Sequence, residues 1–400
     1  MNKLLSILFY FILLHGMFSC GEQVEKKTPI RKSKIAKLDS TGKFVIDTNA
    51  TLNPDQLEKA SKVDKLMKRL YQTHQFNGAV LVGEEGKILY KNAFGYANFA
   101  TKSPLSVHSS FHLASVSKQF TAMAVMMLKE EGKLDYDDDI RKYIPEIPYE
   151  GITIKHLLNH TSGIPNILNY IPNYMNYWDS CEIARNHDVA YMLGFHKPSL
   201  SFKPGNRFSY NNTGYVLLAL IVERVSKTPF DAFMEKRIFQ PLNMEDTKIY
   251  SMVKEPSFKE RAYGYGVRRA YYSLDEDDIR NGLTGEKGVY SSVVDLYKWD
   301  QALYTEFLVR DSTLRQAFSY TVLNNGRRIN YGFGWRKSKE TDQIVYHFGH
   351  WRGFNTCIIR FIDDHKVIII LNNTGNRRVK YLAKELIKIL YGGKDNSPDF

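Results

Sequence analysis

Cysteine is scarce in this 400-residue chain: Cys20, Cys181 and Cys357 are the only three. That is too few for a disulfide framework at this size, and no close Cys/His spacing suggests structural zinc. Long apolar runs are scarce too. The longest uncharged stretch near the start, Leu4 to Cys20, has 17 residues and includes His15. Nothing after it approaches the roughly 18 apolar residues of a membrane span, which excludes a polytopic membrane protein. The chain also lacks Gly-x-Ser-x-Gly, His-Glu-x-x-His and any Gly-x-Gly-x-x-Gly after a strand-like run. A nucleophile elbow, a metallopeptidase helix and a dinucleotide fold are therefore not indicated. Gly86-Lys87 lacks the earlier glycine and the following Ser/Thr of a phosphate loop. No cofactor and no metal are expected, and no internal repeat is visible.

Acidic residues are the minority charge, 43 against 55 Lys and Arg, for a net charge of +12. The basic residues are spread along the whole chain, so no nucleic-acid partner is expected. With 43% hydrophobic and 24% charged residues the chain is globular, not a disordered tail or a fibre. Lys3 and the apolar run Leu4 to Leu14 have the pattern of a secretory signal, read as residues 1–19. Cys20, after Met17-Phe18-Ser19, stands where a lipoprotein cysteine would carry lipid. The expectation is a protein exported to the cell envelope and held at a membrane through Cys20. Residues 20–54 read as a flexible tether: between Gly21 and Lys43, seven Lys/Arg oppose three acids with little apolar periodicity. Residues 55–400 form the folded domain.

Within it, Asp55 to Gln72 has helical spacing. Ala79 to Val82 and Lys87 to Tyr90 read as a hairpin joined by the four residues Gly83 to Gly86. Ser115 to Glu131 reads as a core-facing helix stopped by Gly132, and residues of about 134–285 are rich in helical patterns. Gln343 to Gly349, Phe354 to Ile362 and Val367 to Leu371 are strand-like, and Arg378 to Leu390 is an amphipathic helix. Strands at both ends with helices between them imply one antiparallel sheet built from both chain ends, with a helical region inserted in the middle.

Three strings carry chemistry. Ser-x-x-Lys puts a hydroxyl and an amine on one helical face, where they can share a proton. It occurs at Ser40/Lys43, Ser115/Lys118 and Ser251/Lys254. The first falls in the tether and the third in a polar loop, so context favours Ser115, at the positive start of the apolar helix. Tyr-x-Asn begins at Tyr90, Tyr96, Tyr174 and Tyr210, but only Tyr210-Asn211-Asn212 stands between a Pro204-Gly205 turn and an apolar helix. In an extended segment Tyr210 and Asn212 would face one cleft. The strand segment Tyr346-His347-Phe348-Gly349-His350 offers a basic group and edge N–H groups to an acyl substrate. His156 and His160, four apart, have zinc-compatible spacing without a glutamate between them or an evident third ligand, and are read as packing and capping residues.

In this order, Ser115-Val116-Ser117-Lys118, Tyr210-Asn211-Asn212 and His347-Phe348-Gly349 resemble the serine β-lactamase and penicillin-binding-protein superfamily, in its class C-like branch. Phe111-His112-Leu113-Ala114, the stretch His156 to Pro165, and Gly288-Val289-Tyr290-Ser291-Ser292 with Asp295-Leu296 resemble the same branch, so the likeness runs from about Phe76 to Leu390. The resemblance implies an α/β (α+β) fold, a β-lactamase-like sandwich with the site where sheet and helices meet. It implies Ser115 as nucleophile, Lys118 as its activator and Tyr210 as proton relay, with either Lys118 or Tyr210 as the base. Asn212 would hold Lys118 and the substrate, and the N–H groups of Ser115 and His350 would form the oxyanion hole, beside Gly349. His347 replaces the lysine of Lys-Thr-Gly, with a charge that depends on pH near 6.5. Phe348 departs from the usual Thr or Ser, whose hydroxyl binds a substrate carboxylate.

The expectation is a serine hydrolase working through a Ser115 acyl-enzyme on an ester, amide or peptide, small molecule or peptide, with neutral substrates favoured and Arg352 as a partial anion site. The alternatives are a cell-envelope D-alanyl-D-alanine carboxypeptidase or β-lactamase, and an inactive cell-wall-binding scaffold. Nothing in the sequence indicates an oligomeric state.

Overall fold

The computed structural model describes residues 36–47, 50–166, 168, 183–251, 257–268, 271–275, 279–376 and 378–400. The signal segment, Cys20, Tyr174, Cys181 and Lys254 lie outside the described residues.

Helix α1 (Pro54–Gln72) starts where the sequence says it should: Asn53 and Gln56 form a reciprocal capping box and Pro54 takes the first turn. Its buried face is Val63, Leu66, Met67 and Leu70. Strands β1 (Gly78–Glu84) and β2 (Lys87–Phe94) follow. Their connection is the two residues Glu85 and Gly86, both at positive φ (53° and 77°), and not the four residues expected. Gly83 and Glu84 stay in the ladder because the buried Glu84 carboxylate is held by Lys59 at 3.0 Å and Lys366 at 3.3 Å.

The helices that bear on the site are α2 (Lys118–Glu130), α3 (Asn212–Ser226) and α4 (Val293–Ala302). The chain returns to the sheet as β3 (Arg336–Lys337), β4 (Ile344–Trp351), β5 (Phe354–Phe361) and β6 (Lys366–Asn372), and α5 (Val379–Leu390) follows. The six strands are ordered β3-β4-β5-β6-β1-β2, every pair antiparallel. The pairing of β6 with β1 brings both chain ends into one sheet, as the strand-like runs indicated.

Alternation along the strands divides the apolar side chains into two cores. Val80, Val82, Ile368 and Ile370 face α1 and α5, while Ala79, Leu81, Ile369 and Leu371 face the inserted region. There α3 is buried almost all round from Thr213 to Val222 and packs beside α2. Arg360 of β5 and Asp300 of α4 form an ion pair with side chains at most 1% exposed, which ties the sheet to α4.

One boundary needs correction. The expected tether to residue 54 contains a folded hairpin, Ala36–Leu38 paired with Phe44–Ile46. Phe44 and Ile46 alternate inward around the exposed Val45, and Phe44 is 2% exposed against Phe307. The Phe44 N–H donates to the Pro241 carbonyl at 2.9 Å. Two buried side chains in a three-residue strand are too short a signal to stand out among the surrounding lysines. Limited proteolysis of the full chain should therefore spare residues 36–47. Phe44→Ala, which removes a buried ring worth about 3–5 kcal/mol, should open this hairpin to cleavage. Equal cleavage of both proteins there would restore the tether.

Candidate active site

The candidate nucleophile sits on a turn clamped from three sides. Leu113 N–H donates to Val289 O at 2.8 Å, the Thr356 hydroxyl donates to Leu113 O at 2.7 Å, and Ala114 N–H donates to His112 Nδ1 at 2.9 Å. Ala114 has φ +50°, a strained value for a residue with a Cβ. Residues Ala114–Ser117 form a 3₁₀ turn, and the α-helix proper begins only at Lys118. The spacing still works, because in a 3₁₀ turn residues three apart eclipse one another. Lys118 Nζ donates to Ser115 Oγ at 3.2 Å and to the Glu286 carbonyl at 2.7 Å. Ser115 is half-buried, whereas Lys118 is completely buried with two uncharged acceptors as its hydrogen-bond partners among the described residues. The amine is aimed at the hydroxyl without a carboxylate to hold it away.

Gly349 of β4 explains how the strand comes so close: a Cβ there would lie 2.2 Å from Leu113 O and 2.3 Å from Thr356 Oγ1. Strand β3 covers β4 only at Val345 and Tyr346, so the edge from His347 onward is left to the nucleophile turn. Ser115 and His350 line both of two cavities that meet at the hydroxyl. The larger, about 850 Å³, is walled by Tyr210, Arg336, Tyr346, His347, Phe348 and Phe400 among others. The smaller, about 60 Å³, holds Asn212, Glu286 and Lys287.

The second string is brought to the site with one change. Asn211 is the extended residue before α3, and Asn212 is the first residue of the helix, so the two-residue alternation expected of an extended segment does not apply. Tyr210 and Asn212 consequently face different cavities. The Tyr210 hydroxyl is buried without a hydrogen-bond partner, and its ring lies 5.0 Å from Lys118 Nζ. Among the described residues no hydrogen bond joins Asn212 to Lys118, whose second acceptor is the Glu286 carbonyl. His156 caps its own short helix through Thr153, and His160 Nδ1 accepts from Asn211 N–H at 3.1 Å, so both serve as local supports. Among the described residues no group of three His, Cys, Asp or Glu is placed to hold a metal.

His347 is 2% exposed, and its value lies well below 6.5 because burial, then Arg336 and Lys118, disfavour the imidazolium. The expected charge change near pH 6.5 is thus corrected to a neutral ring. Its Nδ1 donates to the Phe348 carbonyl at 2.8 Å, which leaves Nε2 to accept from the Tyr331 hydroxyl at 3.2 Å. His160 is lowered well below 6.5 by burial, then Lys118, and His112 by burial, then Lys287.

Phe348 lies with Tyr346 and Phe400, ring centroids 5.9 and 5.0 Å away, and walls the large cavity. Arg352 is paired with Asp275 at 3.3 Å and lines neither cavity, so it does not serve as the expected anion site. Among the cations that do wall the large cavity is Arg336, 5.6 Å from the ring centres of both Tyr210 and Tyr331. Sequence reasoning missed Arg336, Tyr331 and Glu286. Arg336 stands on a two-residue edge strand, too short to show a period. Glu286 lay two residues before the recognised Gly288-Val289 stretch, and that proximity was the available signal.

Comparison with known proteins gives the family and the fold. A family model described as Beta-lactamase matches residues 63–390. The chain is 42% identical over 327 residues to Penicillin-binding protein 4* of Bacillus subtilis (strain 168), covering 79% of this chain and 72% of that relative. It is 26% identical over 339 residues to Protein flp of Staphylococcus aureus (strain N315), covering 82% of this chain and 66% of the relative. The octameric penicillin-binding protein homologue from Pyrococcus abyssi superposes with a TM-score of 0.72 at 25% identity, over 84% of this chain and 78% of that one.

The buried histidines make stability depend on pH. Folded, each binds fewer protons than the unfolded chain, whose histidines titrate near about 6.5. Their contribution is complete above that value and falls as pH drops below it, by about 1.4 kcal/mol per pH unit for each neutral ring. Urea unfolding at pH 7.5 and 5.5 should show this loss. His347→Gln should flatten the slope by one proton's worth, and an unchanged slope would mean that His347 is charged in the folded protein.

Proposed function

The chain belongs to the β-lactamase family of serine hydrolases, with penicillin-binding proteins among its relatives, and on that premise we propose that it cleaves an ester, amide or peptide through an acyl-enzyme on Ser115. One observation carries the reading: the buried Lys118 amine donates to Ser115 Oγ at 3.2 Å beside the unpartnered Tyr210 hydroxyl. In this reading Lys118 and Tyr210 take the proton of Ser115 and deliver it to the leaving group, while the N–H groups of Ser115 and His350 hold the carbonyl oxygen. Gly349 borders the cavity that takes the acyl group, and Asn212 lines the smaller cavity on the other side of Ser115. His347 acts as a neutral support for Tyr331 and the β4 edge. The acyl group lies against the apolar wall of Tyr346, Phe348 and Phe400, which suits short neutral substrates. An inactive scaffold has no use for this arrangement.

A second reading, a D-alanyl-D-alanine carboxypeptidase or β-lactamase, is favoured by Arg336. It walls the same cavity and forms no ion pair among the described residues, so it is free to meet a substrate carboxylate that Phe348 cannot bind. The relative named Penicillin-binding protein 4* points the same way. Export and anchoring through Cys20 are part of the proposal and rest on the N-terminal sequence.

A serine-reactive fluorophosphonate should label the protein at Ser115, and Ser115→Ala or Lys118→Ala should each lower turnover on the order of 10³-fold or more. Full activity in Ser115→Ala would end the assignment. The substrate readings separate in kcat/KM for p-nitrophenyl acetate and a chromogenic cephalosporin. The leading reading requires the ester to be preferred and Arg336→Ala to leave it unchanged. The second requires a preference for the cephalosporin that Arg336→Ala lowers by about tenfold or more. Mass spectrometry of the N-terminal peptide from the native membrane fraction should find lipid on Cys20; any other mature start removes the anchor.

A further inference from the structure

The small cavity on the far side of Ser115 is built for one kind of occupant. Glu286 is 3% exposed and lines it. Its Oε1 is paired with Lys287 Nζ at 3.0 Å, but its Oε2 is buried with no hydrogen-bond partner. Asn212 lines the same cavity, and its Oδ1 is also buried and unpartnered. Two bare acceptors at one site call for a donor, since an unsatisfied buried carboxylate oxygen is costly. At about 60 Å³ the space has room for water and for no bulky group. Arg280 and Lys287 line it as well, which disfavours a substrate ammonium. Ser115 forms part of the wall, so the cavity adjoins the residue that would carry the acyl group.

We propose that this cavity holds the hydrolytic water and that Glu286 is the general base of deacylation, with Asn212 accepting the water's second hydrogen. The inference rests on the Ser115 acyl-enzyme reading above. The water oxygen forms its bond to the acyl carbon as one of its protons passes to Glu286 Oε2. The tetrahedral intermediate then collapses: the bond from carbon to Ser115 Oγ breaks, Oγ takes a proton from the Lys118–Tyr210 side, and the acid product leaves. The proton on Glu286 returns through solvent to that side, which restores the starting state. Lys287 holds the carboxylate in place, and its Nζ is itself fixed by donating to the carbonyls of Arg280 and Leu283 at 2.6 and 3.5 Å. The Glu286 backbone carbonyl meanwhile holds Lys118, so one residue touches both halves of the reaction.

Stopped-flow release of p-nitrophenol from p-nitrophenyl acetate by the full chain separates the two halves. The native protein should show an acylation burst followed by turnover. In Glu286→Gln the burst rate should stay within about threefold while the steady rate falls on the order of 10²-fold. Acetyl-Ser115 should then accumulate by mass spectrometry, and hydroxylamine, a nucleophile that needs no base, should restore acyl release. Burst and turnover falling together, turnover unchanged, or no rescue would overturn the proposal. So would an effect confined to the KM of substrates carrying an α-ammonium. If Glu286→Gln does not fold by circular dichroism, Asn212→Ala must slow deacylation more than the burst, and equal slowing overturns it. Failure of the native protein to acylate Ser115 at all would instead defeat the underlying hydrolase reading.

Discussion

The close approach of strand β4 to the nucleophile turn is the constraint on which the site depends. Gly349 has no room for a side chain: Leu113 O would stand 2.2 Å from its Cβ. Gly334 does the same from another side, with φ +75° and a Cβ position 2.7 Å from Lys118 O. Two glycine backbones thus grip the start of α2, and the Thr356 hydroxyl bonds Leu113 O across the gap. This grip sustains the strained φ of Ala114 and fixes Ser115 against Lys118. The strain is held by the packing of the sheet that the chain's two ends build together, so nucleophile geometry and global fold are one problem.

Charge in the site follows from the same packing. His112, His160 and His347 are all buried within the range of cations, and burial is the first cause that keeps each neutral. Neutral rings can accept as well as donate, which lets His112 receive Ala114 N–H, His160 receive Asn211 N–H and His347 receive the Tyr331 hydroxyl. The histidines therefore act as a scaffold of acceptors behind the reacting groups, and the positive charge of the cleft is left to lysine and arginine.

The elements that were legible in the sequence are those whose signal is local and repeated. The apolar runs of β1, β4, β5 and β6 and the helical spacing of Asp55 to Gln72 identified the sheet and its first helix. Ser115/Lys118 and Tyr210-Asn211-Asn212 stood out because each abuts a long apolar helix, and the structure brings both strings to one hydroxyl. What was not legible depends on tertiary neighbours. The 36–46 hairpin is held by Phe307 and Pro241, both more than 190 residues away. The neutral state of His347 comes from Arg336 and Lys118, and the loss of Arg352 as an anion site comes from Asp275. None of these partners is within reach of a periodicity argument.

On the proposed acyl-enzyme reading, the two cavities divide the work at Ser115 between them. A substrate of any size enters from the wide cleft of about 850 Å³, and its acyl group, once attached, fills the space from which it came. Water arriving by the same route would have to compete with that group and its aromatic wall. On that reading a cavity of about 60 Å³ on the other side removes the competition, because it has no room for a bulky acyl group and two of its lining residues, Glu286 and Asn212, each carry an unpartnered acceptor. The same serine and lysine would otherwise make a protein that acylates once and stays acylated. On the proposal that Glu286 activates the water, the distinction between a binder and a catalyst at this site lies less in the nucleophile than in what stands behind it.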